Sequence, residues 1–182
     1  MDFKFNTRMD GFFALTTRLH EDRALQGGKG FYKFIWVRDG KLDIEVDHVV
    51  MHLRKGELVT LSPLHHVDML RAEGHYLSVL FNSNFYCIYG HGGESSCHGF
   101  LFHGSSNILH LSLDATETER LSHITDTLAE ECAVADNLQE EMLRLLLKAV
   151  KSVYASVYFA ASRAYIQTSQ NLISEEKMAV II

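Results

Sequence analysis

The chain has 182 residues, of which 47% are hydrophobic and 22% are charged, values typical of one globular domain or of one domain with an appendage. The net charge of −6 argues against direct binding to nucleic acid, because modules that grip DNA by themselves usually carry a basic surface. Three widely spaced cysteines do not indicate a disulfide framework, no run is long enough for a membrane span and no secretion signal is visible, so we expect a cytoplasmic protein.

The first part of the chain consists of short apolar segments separated by turn residues, a pattern typical of a β-sandwich or barrel. Residues 31–37 and 42–46 are predicted to form a hairpin around Asp39-Gly40, because both central residues of a type I′ turn need positive φ. Both faces of the first of these strands are apolar or aromatic, so we expect it to be covered on two sides. Further strands are predicted at 12–15, 49–53, 58–61, 67–70, 76–81, 100–102 and 108–113, with Ala72-Glu73-Gly74 separating 67–70 from 76–81 and a helical turn near Phe85.

From Asp114 onwards the apolar residues recur at helical spacing. Asp114 with Glu117, and Asp136 with Gln139, are residue pairs that typically cap helix N-termini. The second helix is apolar nearly all round, so it needs cover on more than one face, and a second copy of the chain is the simplest cover. We therefore predict a homodimer; packing within one chain alone is the alternative. The predicted dimer interface consists of Leu138, Met142, Leu145 and Ala149.

Near the C-terminus, Ser174-Glu175-Glu176 is typical of a new helix start, and it is followed at once by an apolar segment. We expect the chain to be cut just inside a further domain. The alternative is a frayed terminal tail, since termini are commonly disordered.

Three segments in this order carry a resemblance to a known family. Residues 31–40 are similar to a strand of the form FYEIIWIxxG, residues 54–63 to a segment ending in a serine-proline pair, and residues 74–86 to a segment that ends in an aromatic pair. Together with the two helices that follow, they resemble the N-terminal effector domain of AraC-type transcriptional regulators, over roughly residues 25–160.

The resemblance implies a mainly β fold with C-terminal helices, in which a cupin-like (double-stranded β-helix, jelly-roll) barrel is followed by an α-helical hairpin. The barrel would span 1–113, the dimerisation hairpin 114–168, and 169–182 would be a linker and the start of a missing DNA-binding domain. It also implies a small-molecule effector and no enzyme activity, with DNA bound only through the missing helix-turn-helix region. The alternatives are a stand-alone metal-dependent cupin enzyme, such as an isomerase or dioxygenase, and a dimerisation scaffold without a ligand.

Cupin enzymes hold a metal through histidines and a glutamate. The positions of this chain that correspond to the first metal-binding motif of those enzymes look like Gly27, Lys29 and Lys33. None of these is a usual metal ligand, and a lysine ammonium would repel a cation. His65 and His66 lie near the place of the later histidine, but two neighbouring histidines do not make a site without the other ligands. We therefore expect no metal or other cofactor at this motif. A second candidate metal site is one loop rich in cysteine and histidine, whose spacing matches no common zinc finger and which is otherwise a polar loop. Its candidate ligands are Cys87, His91, Cys97, His98 and His103.

An inward-facing Lys33 would suit an anionic or hydroxyl-rich ligand; a surface lysine with a buried stem is the alternative. Following the inward positions of the resembled family selects Phe31, Lys33 and Ile35 as ligand-binding residues. The later strands add His66, Asp68 and Tyr76 as candidates. For most of the aromatic residues near Phe31, a role in the barrel core is the simpler interpretation.

Overall fold

The fold is a seven-stranded sheet followed by two long helices in this computed structural model, which describes residues 1–28, 30–87 and 108–179, with 164–179 described by backbone alone. The strands are β1 Asp2–Asn6, β2 Phe12–Thr16, β3 Tyr32–Val46, β4 Val49–Arg54, β5 Glu57–Leu61, β6 Val67–Phe81 and β7 Leu109–Ser112. The helices are α1 Arg23–Gln26, α2 Ala115–Glu131 and α3 Gln139–Ala179, with a 3₁₀ turn at Leu19–Glu21.

The strand order is β1-β2-β6-β3-β5-β7, and β4 pairs with the second half of β3. Neighbouring strands are antiparallel, which confirms a mainly β fold with C-terminal helices. Within the described residues the pairing path runs from β1 to β7 without returning on itself, so the closed cupin-like barrel stays a prediction. The strand predicted at 100–102 lies outside the described residues.

The predicted hairpin at Asp39-Gly40 is wrong, because β3 continues straight through it. Gly40 has a φ of +80° and lies opposite Gly74, whose φ is +100°, at a bulge in the pairing of β3 with β6. A Cβ on Gly40 would lie 2.1 Å from the carbonyl oxygen of Glu73, so the two glycines permit a close approach of two backbones. The tight turn instead follows at Asp47-His48, where φ values of 47° and 69° fit a type I′ turn between β3 and β4.

The same pairing corrects the prediction of two strands at 67–70 and 76–81. They form the single strand β6, because β6 pairs with β3 along almost the whole length of both. The strands predicted near 12–15, 49–53, 58–61 and 108–113 are confirmed as β2, β4, β5 and β7, whereas β1 was not predicted.

Alternation along β3 gives the sheet two buried faces, which confirms that this strand is covered on both sides. Tyr32, Phe34 and Trp36 face the helices in an aromatic cluster, which we call the helix-side core. Ile35 and Val37 face a second, mostly aliphatic cluster, the inner core. The inner core comprises Ala14, Leu19, Leu25, Ile35, Val37, Leu42, Ile44, Val46, Leu53, Val59, Leu61, Val67, Tyr76 and Leu80.

The first long helix starts at its predicted cap, whereas the cap predicted from Asp136 and Gln139 is wrong: Asp136 accepts the Leu138 N–H at 2.8 Å, and the Gln139 side chain donates to the carbonyls of Glu131 and Val134. The Asp114 side chain accepts the Glu117 N–H at 2.8 Å and the Glu117 carboxylate accepts the Asp114 N–H at 2.9 Å, a complete capping box at the start of α2. Helix α3 runs unbroken to Ala179, so the new helix start predicted at Ser174 is wrong. None of the described helices combines the length and apolar character that a membrane span requires.

Candidate ligand site in the inner core

Lys33 is the charged residue of the inner core. It lies two positions before Ile35 on β3, so the alternation of the strand points its side chain into the aliphatic cluster, where it is 0% exposed. The alternative of a surface lysine is therefore wrong. Its Nζ donates a hydrogen bond of 3.1 Å to the carbonyl oxygen of Gly28, which leaves further protons of the ammonium group for another acceptor.

Burial disfavours the charged form of Lys33 and lowers the pKa of its ammonium group from 10.5 to about 8, while the nearby carboxylate of Asp47 acts in the opposite direction. Lys33 is therefore mostly cationic at pH 7, within a cluster of aliphatic side chains. A buried charge with little compensation is costly, and an anionic partner would offset that cost.

Ser78 is a second polar residue of this face, and the sequence analysis did not select it. It is 0% exposed on β6, two residues from both Tyr76 and Leu80, and it pairs with Ile35 on β3. Its hydroxyl has no hydrogen-bond partner in the part of the chain that the structure describes. In the sequence it is the single serine of the apolar run 76–81, which does not show whether its hydroxyl is hydrogen-bonded.

Two further predicted ligand residues, Ile35 and Tyr76, share the inner core with Lys33. The hydroxyl of Tyr76 accepts the His20 N–H at 3.0 Å and lies 2.6 Å from His20 Nδ1, so it anchors the 3₁₀ turn, and burial raises the pKa of this phenol. Phe31 is half-buried at the border of the inner core, with its ring 4.7 Å from that of Phe12.

His66 and Asp68 are not brought into the inner core. Both are exposed, and their side chains pair with each other at 3.1 Å. His66 still lies near the Lys33 end of the core, because its backbone N–H donates to Asp47, the carboxylate that influences the Lys33 ammonium.

The segment from the 3₁₀ turn through α1 covers the inner core next to β6. Leu19 and Leu25 insert into the core, and the buried Gln26 side chain accepts the Met69 N–H at 3.0 Å. A cavity of about 330 Å³ lies between this segment and the β1–β2 pair, and Ala14 and Thr16 are among its lining residues. Its volume is at the lower end of the range of small-molecule sites.

The predicted dimer interface lies on the exposed side of α3. Leu138, Met142 and Leu145 are 60%, 38% and 61% exposed, and Ala149 is half-buried. Alternating intervals of four and three residues separate these positions, the spacing of a coiled-coil seam. The opposite side of α3, including Leu143 and Leu147, is buried in the helix-side core.

The candidate metal loop lies mostly outside the described residues, which include its Cys87 but not His91, Cys97, His98 or His103. Cys87 is exposed. Within the ranges that are described, no group of three or more His, Cys, Asp or Glu side chains is placed to hold a metal ion.

Comparison with known proteins gives remote structural likenesses. No family model matches the sequence, and no curated protein matches it. The AraC-like transcriptional activator CuxR has a TM-score of 0.43 at 12% identity, over 81% of this chain and 48% of CuxR. A variant of ToxT from Vibrio cholerae has a TM-score of 0.44 at 14% identity, over 91% of this chain and 55% of ToxT. Protein YlbA from E. coli has a TM-score of 0.31 at 10% identity, over 56% of this chain and 37% of YlbA.

This chain thus spans about half the length of CuxR and ToxT. Identities of 10–14% and TM-scores below 0.5 do not place it in a family.

Proposed function

We propose that this chain is the ligand-sensing and dimerising part of an AraC-type transcriptional regulator that acts in the cytoplasm and contacts DNA through a further, C-terminal domain. The observation that carries the sensing role is the fully buried ammonium group of Lys33 in an aliphatic cluster. A group of this kind destabilises the free protein, which makes it a candidate for a binding role. The three family-like segments and the order of strands and helices supply the regulator context.

The effector that fits this site is a small organic anion with an apolar body. Its anionic group would accept hydrogen bonds from Lys33 Nζ, while Phe31, Ile35 and Tyr76 would contact its apolar part. His66 and Asp68 would lie at the rim of the site, close to Asp47. A ligand in this position reduces the cost of burying the ammonium group, so the anion itself is selected over a neutral analogue.

The mechanism we propose is linkage between the ligand and the segment that covers the core. Lys33 holds the carbonyl of Gly28, and Gly28 directly follows α1 and Gly27. An anion that competes for Nζ weakens this hydrogen bond. It thereby favours arrangements of the covering segment that differ from the arrangement in the ligand-free protein. The ligand shifts this equilibrium by its differential affinity for the two arrangements, and the dimer and its DNA-binding domains would report the shift.

The dimer in this proposal uses the stripe of Leu138, Met142, Leu145 and Ala149. Three of these side chains are exposed although they are apolar, and they repeat at coiled-coil spacing. Pairing two such stripes would remove the exposed apolar surface from water.

A metal-dependent cupin enzyme is the less favoured alternative. Lys33 occupies one of the positions where the resembled enzymes carry metal ligands, and its ammonium group is buried there. A cation placed beside it would be repelled.

The test is a thermal-shift comparison of the chain and its Lys33→Met variant against small organic acids, each matched with its neutral amide. We expect several acids to raise the Tm of the unmodified chain, the amides to have little effect, and the response to acids to be lost in Lys33→Met. A lack of response to every acid, or an equal response in both proteins, would contradict an anionic effector at Lys33.

A further inference from the structure

We propose that the hydroxyl of Ser78 is a second polar contact for the effector, so that the ligand is an organic acid that also carries a hydroxyl or carbonyl group. This inference rests on the proposed function, because it takes Lys33 as the contact for the anionic group. It adds a residue and narrows the ligand class.

The register of the sheet places Ser78 on the same wall as Lys33. Lys33 pairs with Leu80, and Ser78 lies two residues before Leu80 on β6, so Lys33 and Ser78 are diagonal neighbours on one face. Diagonal neighbours of an antiparallel pair lie roughly 7–8 Å apart, and their Cβ atoms are somewhat closer. A single small molecule can therefore contact both side chains.

The free hydroxyl distinguishes Ser78 from a packing residue. Buried polar groups are hydrogen-bonded in the great majority of cases, and an unpaired one destabilises the fold. Within the described residues, the Ser78 hydroxyl and the Trp36 indole N–H are buried and have no hydrogen-bond partner. Trp36 faces the helix-side core, so Ser78 is the one that faces the aliphatic wall around Lys33.

The neighbours of Ser78 on the next strand have small side chains. The strand next to β6 is β2, where Ala14 pairs with Leu80 and Thr16 pairs with Ser78. Ala14 and Thr16 also line the cavity of about 330 Å³ beside the covering segment, but neither Lys33 nor Ser78 is among its lining residues. The Thr16 hydroxyl is engaged by the Asp2 carboxylate and by the Arg18 N–H, so it does not satisfy Ser78.

The first test needs no ligand and compares the thermal unfolding of Ser78→Ala and Thr60→Val. Each change removes one buried hydroxyl, but that of Thr60 lies 2.9 Å from the hydroxyl of Tyr154. We expect Ser78→Ala to keep or raise the Tm, because it removes an unsatisfied group, and Thr60→Val to lower the Tm by a few degrees, about the effect of one lost hydrogen bond. A fall in Tm for Ser78→Ala as large as that for Thr60→Val would mean that its hydroxyl serves the fold, and would overturn the inference.

The second test titrates straight-chain monocarboxylates, propanoate to octanoate, and their counterparts with a terminal hydroxyl or an internal keto group. Isothermal titration of the chain and of Ser78→Ala measures each affinity. We expect the best oxygenated acid to bind the unmodified chain more tightly than its parent acid, and this preference to fall by about threefold to tenfold in Ser78→Ala.

The outcomes separate the two proposals. Binding of parent and oxygenated acids with equal affinity would overturn the role of Ser78 and leave the anionic effector standing. A preference that persists unchanged in Ser78→Ala would do the same. Failure of every acid to bind the unmodified chain would overturn both.

Discussion

The two faces of the central sheet each bury a lysine, but they surround it differently. On the helix side, Lys151 lies with its Nζ 4.4 Å from the ring centre of Tyr86, among aromatic and aliphatic side chains supplied by α3 and the sheet. On the inner side, Lys33 lies in an aliphatic cluster and donates to the carbonyl of Gly28. Burial lowers the pKa of both ammonium groups to about 8.

The buried hydroxyl groups also differ between the helix-side core and the inner core. In the helix-side core, the Tyr154 hydroxyl lies 2.9 Å from that of Thr60, and the Thr125 hydroxyl donates to the Leu121 carbonyl at 2.9 Å. In the inner core, the Ser78 hydroxyl has no partner among the described residues. These two hydroxyls of the helix-side core therefore stabilise the fold. In the inner core the Tyr76 hydroxyl is bonded to His20, but the hydroxyl of Ser78 is unused, as in a binding site.

Of the predictions that test this difference between the two cores, the largest effect is expected from a substitution in the helix-side core. Tyr154→Ala removes a buried ring that packs on Phe34, and we expect a loss of about 3–5 kcal/mol in the free energy of unfolding, measured with urea. Tyr154→Phe is the matched control and should lose only about 1 kcal/mol, because it removes the hydroxyl alone. A small loss for Tyr154→Ala would show that this core does not hold the sheet and helices together.

The inner core should respond in the opposite direction. Lys33→Met keeps the length of the side chain and removes the buried charge, so we expect a gain of up to about 3 kcal/mol in the free energy of unfolding at pH 7, from the shift of its pKa. Urea denaturation of both proteins measures the gain. A loss of stability in Lys33→Met would mean that the bond to Gly28 outweighs the desolvation of the ammonium group, and that Lys33 is a structural residue.

The third prediction concerns the exposed side of α3. Leu145→Glu places a charge in the proposed dimer interface, and we expect the dimer to dissociate. The free energy of dimerisation should weaken by about 2 kcal/mol or more, as is typical of a central interface residue. Sedimentation velocity over a concentration series measures it. Leu70→Glu is the control, because Leu70 is also apolar and 52% exposed but belongs to β6 and not to α3, so this variant should leave the dimer intact. Equal behaviour of the two variants would place the interface elsewhere.

Several parts of this molecule could be predicted from its sequence. The capping pair Asp114 and Glu117 locates the first long helix, and the two-sided apolar pattern of 31–37 identifies the most buried strand. The Asp39-Gly40 prediction failed because positive φ is required both in a type I′ turn and in a bulge. The choice between them depends on Gly74, a residue far along the chain that the local pattern does not reveal.

The candidate site shows the same limit. Strand alternation was sufficient to direct Lys33 towards the inner core, and it placed Tyr76 in the same cluster. It could not identify Ser78, because a serine in a strand becomes informative only when every group that could satisfy its hydroxyl is known. His66 and Asp68 lie at the surface because they alternate with Val67, whose side chain is fully buried in the inner core.

The smallest expected effect tests whether both buried lysines behave as charges. Each has a pKa near 8 in the folded chain and an ordinary value of 10.5, so between these limits the unfolded chain binds more protons and stability rises with pH. From pH 7 to pH 9 we expect a gain of about 1 kcal/mol per lysine, measured by urea denaturation at fixed ionic strength. Above pH 9 the thiol of Cys132, whose pKa burial raises from 9.0 to about 12, acts in the opposite direction and flattens the curve.

Single variants assign this rise to its sources. Lys33→Met should remove about half of it, and Lys151→Met the other half, so that the double variant is insensitive to pH over this interval. A rise that survives in Lys33→Met but disappears in Lys151→Met would mean that Lys33 is already neutral at pH 7. The inner core would then present an uncharged amine, and the preference for acids over amides at this site should disappear with it.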